Sequence, residues 1–207
     1  MVRDQVECRG VRDPRVLEAM GRVPRHRFLP HRDADAAYED RPVPIGRGQT
    51  ISQPYIVALM TELLELRPGD RVLEVGTGSG YQAAILAELA DEVVSVERHE
   101  DLSNRAGAIL AGLGYDHVTL HVGDGSLGWP EDAPYDAIVV TAGCPAVPAS
   151  LAPQLAPGGR LVCPAGTRAM QKMLKFVHTA RGLVRTESIN CVFVPLVGAQ
   201  GWPGDSP

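Results

Sequence analysis

Apolar residues recur along this chain with two different periods, and the change from one to the other marks out its elements. Val16, Leu17 and Met20 repeat at three- and four-residue intervals after Asp13-Pro14, a capping residue followed by a proline suited to a first helical turn. Residues 1–30 therefore read as helical, up to a stop at Val23-Pro24. Residues 31–52 carry proline, glycine and charge without a period and read as a connector. A second helix opens at Ser52-Gln53-Pro54, with Ile56, Leu59, Met60, Leu63 and Leu64 on one face, and stops before Pro68-Gly69.

Short apolar runs then alternate with helical stretches. Residues 71–75, 92–96, 117–122, 137–141 and 160–163 read as strands. Residues 81–90, a stretch ending near 113, and 148–155 read as the intervening helices, the last closed by Pro157-Gly158-Gly159. Such alternation predicts βαβ units and a parallel sheet. The expected fold is thus α/β, a Rossmann-like, doubly wound, mostly parallel sheet. Residues 173–179 and 189–194 alternate as paired strands would, extending the sheet at one edge in antiparallel fashion, and residues 201–207 should fray. The expected organisation is a helical and substrate-side segment (1–60), a core (61–166), and C-terminal strands completing the same domain (167–207).

Composition narrows the function. A chain of 207 residues buries enough surface to need no staple. Cys8, Cys144, Cys163 and Cys191 form no Cys-x-x-Cys pair. His117 and His121 stand four apart, but on a strand that separates them by about 13 Å, so no metal site is expected. A net charge of −5 with scattered Lys and Arg argues against a nucleic-acid partner. The opening MVRDQVECRG lacks the apolar core of a signal peptide, and no run approaches the ~18–20 apolar residues of a membrane span. The expectation is a cytoplasmic monomer without a membrane partner.

The candidate chemistry gathers at Val72-Leu73-Glu74-Val75-Gly76-Thr77-Gly78-Ser79-Gly80, where glycines close a strand and open a helix. Without a Cβ they let a ligand approach the backbone. Glu97 ends the next strand, where an acid accepts from ribose hydroxyls, and Asp124 follows the third. A dinucleotide loop would want a small residue where Tyr81 stands, so a dehydrogenase is disfavoured. A serine hydrolase would need Gly-x-Ser-x-Gly, which is absent.

The pattern of alternate glycines preceded by Glu74 resembles the first motif of the class I methyltransferases. A second stretch is more distinctive. Gly46-Arg47-Gly48-Gln49-Thr50-Ile51-Ser52-Gln53-Pro54-Tyr55 closely resembles the signature of the protein-L-isoaspartate (D-aspartate) O-methyltransferases. The likeness runs on through Val23-Pro24-Arg25-His26, Asp40-Arg41-Pro42, Gly123-Asp124-Gly125, Trp129-Pro130, Pro157-Gly158-Gly159-Arg160 and Phe193-Val194-Pro195-Leu196. It departs at Gly143-Cys144 and Cys163-Pro164-Ala165.

The resemblance implies S-adenosyl-L-methionine as cofactor and isoaspartyl-containing proteins or peptides as substrates. It places Thr50, Ile51, Ser52, Glu74, Gly76, Thr77, Gly78, Ser79, Glu97, Arg98, Asp124 and Gly125 around the cofactor. Glu74 would hold the methionine amino group and Asp124 would read the adenine. Thr50, Ser52, Val194, Pro195 and Leu196 would meet the substrate. Ser52 is the candidate catalytic residue, orienting the carboxylate at a helix N-terminus. As a serine before Gln-Pro, it reads equally as a plain N-cap. The methyl ester formed would collapse unaided to a succinimide, returning some normal aspartate. Two rivals share parts of this reading: a peptide-tailoring methyltransferase acting on a biosynthetic precursor, and a non-catalytic isoaspartate-binding adaptor.

Overall fold

The structure, a computed structural model, describes residues 1–30 and 34–204. Residues 31–33 of the expected connector and 205–207 of the tail expected to fray lie outside the described residues; the described start of that tail does not fray, since Trp202 donates its N–H to the Leu196 carbonyl at 2.7 Å and its Nε1 to that of Gly143 at 3.0 Å. Seven strands form the main sheet in the order β5-β4-β3-β6-β7-β8-β9. They are β3 (Arg71–Val75), β4 (Glu92–Glu97), β5 (Val118–Val122), β6 (Tyr135–Val140), β7 (Leu155–Gly166), β8 (Gln171–Thr179) and β9 (Gly182–Cys191). β3 to β7 are mutually parallel and β8 and β9 add on antiparallel, as the alternation predicts. The chain runs outward from β3 to β5, then returns to place β6 on the other side of β3. In open sheets of this kind, ligands bind beyond the carboxyl ends of the strands at that reversal.

One face of the sheet is covered by α1 (Pro14–Arg22), α3 (Pro54–Leu64), α4 (Tyr81–Ala87) and α5 (Glu100–Gly112), which bury Met20, Met60, Leu64, Ile85, Leu86 and Leu110. Leu73, Val75, Val94, Val96, Ile138 and Val140 point to the other face. There the cover is Trp129, Leu151 and Leu196, carried on coil and beside single 3₁₀ turns, with Leu155 at the start of β7. Residues 148–155 therefore give only one turn, Ala152–Gln154, instead of a helix. Pro148 and Pro153 both lack the N–H that a longer helix would use.

Three more differences have local causes. The N-terminal segment is not one helix but α1 flanked by separate turns (Val2–Val6, Glu7–Arg9, Arg25–Phe28), broken at Gly10 (φ 104°) and Pro24. The connector holds a helical turn, α2 (Ala34–Ala37), and an antiparallel hairpin, β1 (Val43–Gly46) with β2 (Gln49–Ile51), strands too short for a period to show. β9 ends at Cys191, and the following residues leave the ladder: Pro195, which has no N–H to give, touches the sheet only through a bridge to Gly143.

Candidate active site

The glycine loop leaves β3 at the reversal point. Gly76 adopts φ 102°, and a Cβ built on it would lie 2.5 Å from Oγ1 of Thr141, the residue after β6. Its N–H donates to the Val96 carbonyl on β4 at 2.8 Å, and its carbonyl accepts from Thr141 Oγ1 at 2.6 Å. Both neighbours of β3 thus hold the first glycine.

Two acids back the loop differently. Glu97, nearly buried at the end of β4, accepts from Gly78 N through Oε2 and from His99 N through Oε1, both at 2.9 Å. Each oxygen keeps a lone pair for a further donor. Glu74 lies under the loop on the helix-covered side, opposite Ser95. Ser95 donates to Glu74 Oε2 at 2.5 Å and stands 2.6 Å from the Thr77 hydroxyl, while Glu74 Oε1 has no partner. Complete burial pushes the Glu74 carboxyl up to about 8, the Ser95 bond opposing this and the charge of Glu97 adding to it.

Two cavities meet at this loop and a third adjoins the first of them. One is lined by Thr50, Ile51, Ser52, Gly76, Thr77, Gly78, Ser79, Gln82, Glu97, Thr141 and Val194, among others. A second, at the far side of Gly76 and Glu97, adds Arg98, Gly125, Pro195, Leu196 and Val197. The third lies between Arg9, Pro42, Gln53, Ile56 and the stretch from Ile189 to Val194. Thr50, Ser52, Thr141 and Val194 line both the first and the third.

Ser52 is not the cap of α3. That position belongs to Gln53, with no side-chain cap of its own. The free N–H of Tyr55 is taken instead by Asp40 Oδ1 at 3.2 Å, while Asp40 Oδ2 accepts from Gln53 Nε2 at 2.7 Å and from Arg9 Nη1 at 2.5 Å. The Ser52 side chain is left half-buried in the wall common to two cavities.

Comparison with known proteins identifies the family. Residues 1–201 match the family described as protein-L-isoaspartate(D-aspartate) O-methyltransferase. A protein-L-isoaspartate O-methyltransferase of Methanoculleus marisnigri is 57% identical over 206 residues, covering 99% of this chain and 93% of its own length. One from Rhodopseudomonas palustris is 55% identical, over 100% of this chain and 85% of its own. This chain belongs to the protein-L-isoaspartate(D-aspartate) O-methyltransferase family. A solved structure of a protein-L-isoaspartate O-methyltransferase superposes with TM-score 0.86 at 32% identity, covering 97% of this chain and 67% of that one. Another, from Plasmodium falciparum in complex with S-adenosyl-L-homocysteine, gives 0.82 at 26% identity over 95% and 96% of the two chains. The fold is the Rossmann-like methyltransferase fold, and the protein is an enzyme that uses S-adenosylmethionine.

The residues fit that cofactor: a backbone cradle at Gly76, an acid with free lone pairs at Glu97, and under the loop a buried carboxyl, Glu74, whose ionised form a cationic sulfonium or ammonium would favour. Most of the family's motif residues come together around the cavities, but two stand back from them. Glu74 is fully enclosed beneath the loop. Asp124 gives Oδ1 to the N–H and hydroxyl of Ser126, at 2.9 and 2.6 Å, and Oδ2 to Ala199 N at 2.7 Å. Burial raises its carboxyl, but the bonds from Ala199 and Ser126 outweigh this and hold it below the usual carboxylate range. It anchors a C-terminal strap whose residues Pro195 to Val197 wall the second cavity. Thr141, Gln82 and Arg9 were not singled out from the sequence. Thr141 had a signal, since it ends the strand beside the glycine loop; Arg9 had none.

Among the described residues no group of three or more His, Cys, Asp or Glu is placed to hold a metal, and no helix is long and apolar enough to cross a membrane. His121 stacks on Trp129, with centroids 4.0 Å apart.

Proposed function

We propose that this enzyme methylates the free carboxylate of L-isoaspartyl and D-aspartyl residues in proteins and peptides, beginning their repair, with the sites assigned as follows. The observation that carries the reading is the wall of Thr50, Ser52, Thr141 and Val194 shared by an inner cavity, lined by the glycine loop, and an outer one beside Arg9 and Ile189. S-adenosylmethionine supplies an electrophilic methyl on a sulfonium whose sulfur leaves neutral. Gly76 to Ser79, Glu97 and Gly125 hold it on the inner side, with Glu74 acting from beneath the loop. The substrate enters the outer cavity, its carboxylate at Ser52 and Thr50 and its backbone along Val194, whereas Pro195 and Leu196, expected beside it, line the second cavity instead.

No residue of the common wall is a base, and none is needed. A carboxylate of pKa about 4 is already a nucleophile at neutral pH. The protein's work is to align the reactants, keep water out and give the carboxylate only as many hydrogen bonds as orientation requires. A free Ser52 hydroxyl at the common wall suits that task.

One assay tests this reading. Methyl transfer from labelled S-adenosylmethionine should be seen with an isoaspartyl peptide and fall to background with its normal aspartyl twin. Equal labelling of both, or a preference for normal aspartate, would replace it with peptide tailoring. In the same assay Ser52→Ala should lower kcat/KM by about ten- to a hundredfold at unchanged melting temperature, the loss of one charge-assisted hydrogen bond. Wild-type kcat/KM in that variant would remove Ser52 from the site.

A further inference from the structure

Thr141 lines both reactant cavities and carries a hydroxyl that cannot serve either reactant as a donor. Its N–H donates to the Val75 carbonyl at 2.9 Å, carrying the β3–β6 ladder one residue past Val140. Its Oγ1 lies 2.6 Å from the Gly76 carbonyl and 3.0 Å from that of Val75. A hydroxyl has one proton, so these two carbonyls share it, and the shorter contact to Gly76 takes the larger part. Gly76 is fixed on its other side by Val96. The space that a side chain at Gly76 would fill is the space the Thr141 hydroxyl occupies. Being β-branched, Thr141 is also stiff about χ1.

We propose that Thr141 is a positioning residue for methyl transfer: by fastening Gly76 across the reversal point, it sets the separation of cofactor and substrate carboxylate. The proposal rests on the methyltransferase reading above. It concerns geometry at the moment of transfer, so its mark is a loss in kcat rather than in affinity. Small displacements of reacting groups cost rate steeply.

The test uses the full chain with Thr141→Ala and Thr141→Ser, an isoaspartyl peptide, and separate measurement of kcat, KM, cofactor affinity by calorimetry and melting temperature. Thr141→Ala should lose about tenfold in kcat, with cofactor affinity within about threefold of wild type, and Thr141→Ser, which keeps the hydroxyl, should recover most of the rate. If the alanine variant does not fold, Thr141→Val, which keeps the volume without the hydroxyl, carries the same expectation. Wild-type kcat in the hydroxyl-less variants overturns the proposal. So do equal losses in the alanine and serine variants, or a loss confined to cofactor affinity. A wild-type enzyme inert toward the isoaspartyl peptide would instead sink the functional reading on which the proposal stands.

Discussion

Glu74 shows what a motif letter leaves out. Its place before the glycines matches the motif's acid, but its charge state follows from burial, which no spacing reveals. With its carboxyl raised from 4.5 to about 8, the free enzyme holds Glu74 protonated at neutral pH. Between those two values the folded chain binds a proton that the unfolded chain has released, so this group's contribution to stability is full below pH 4.5 and lost as pH rises toward 8. A cation bound above the loop favours the ionised form, so binding and deprotonation are linked. Cofactor affinity should rise from pH 6 to 8 with proton release, read by calorimetry in buffers of different ionisation heat. Glu74→Gln should bind more weakly, with a flat profile and no release; a wild-type profile equally flat would exclude the linkage. Asp124 teaches the same lesson. Its position at the third strand end was legible, while its use as an anchor depends on residues some 75 further along.

The start of α3 shows how far an element can be read. Ser-Gln-Pro locates the boundary because proline suits a first turn, and Pro54 is indeed the first helical residue. The cap itself was not legible, since it comes from Asp40, fourteen residues before that proline, across a turn and a hairpin. Asp40 also joins Arg9 and Gln53, both of which line the outer cavity. Asp40→Ala should therefore cost about 1–2 kcal/mol, mainly the cap, because the partly exposed pair with Arg9 adds little. Melting temperature should drop by about 3–8 °C and KM for an isoaspartyl peptide should rise. Asp40→Asn, which keeps an acceptor for Tyr55 N, should lose less. Identical losses in the two variants would show that charge, not capping, dominates. The five parallel strands were legible because apolar, β-branched runs need no partner to be recognised, even in the edge strand β5, none of whose residues is fully buried. The hairpin and the missing helix near residue 150 were not, since strands of three or four residues and paired prolines leave no period.

At the scale of the molecule, neither strand order nor long-range ties appear in the periodicity, because both depend on pairings distant in sequence. Arg160 is the clearest tie. From β7 it donates Nε to the carbonyl of Leu64, the last residue of α3, at 2.7 Å and Nη2 to that of Glu65, its C-cap, at 3.0 Å, and it pairs with buried Asp70. Removing it strands a carboxylate and three carbonyls, with Asp136 O the third. Arg160→Met should cost about 3–5 kcal/mol in denaturant unfolding. The double variant Arg160→Met, Asp70→Leu should recover much of that loss, as the lone buried charge is gone; no recovery would mean that the carbonyl ties matter more than the ion pair.

The strap over Asp124 has a bearing on how the enzyme itself ages. Asp124-Gly125 is the one Asp-Gly or Asn-Gly pair in the sequence, and glycine offers the least hindrance to attack by its own nitrogen on the preceding carboxyl. That ring closure prefers a protonated, freely turning acid. Here the carboxyl is held ionised, with both oxygens engaged by Ser126 and Ala199. Gly198 packs so closely that a Cβ there would fall 2.0 Å from Asp124 Oδ1. Gly198→Ala must therefore push the strap off, and on prolonged warming isoaspartate should accumulate at residue 124 faster than in wild type, as peptide mapping would reveal. Equal accumulation in the two would mean that pinning gives no protection. With the strap in place, the Asp124-Gly125 bond is shielded by the same contacts that set Pro195 to Val197 against the second cavity, and the enzyme is kept from becoming its own substrate.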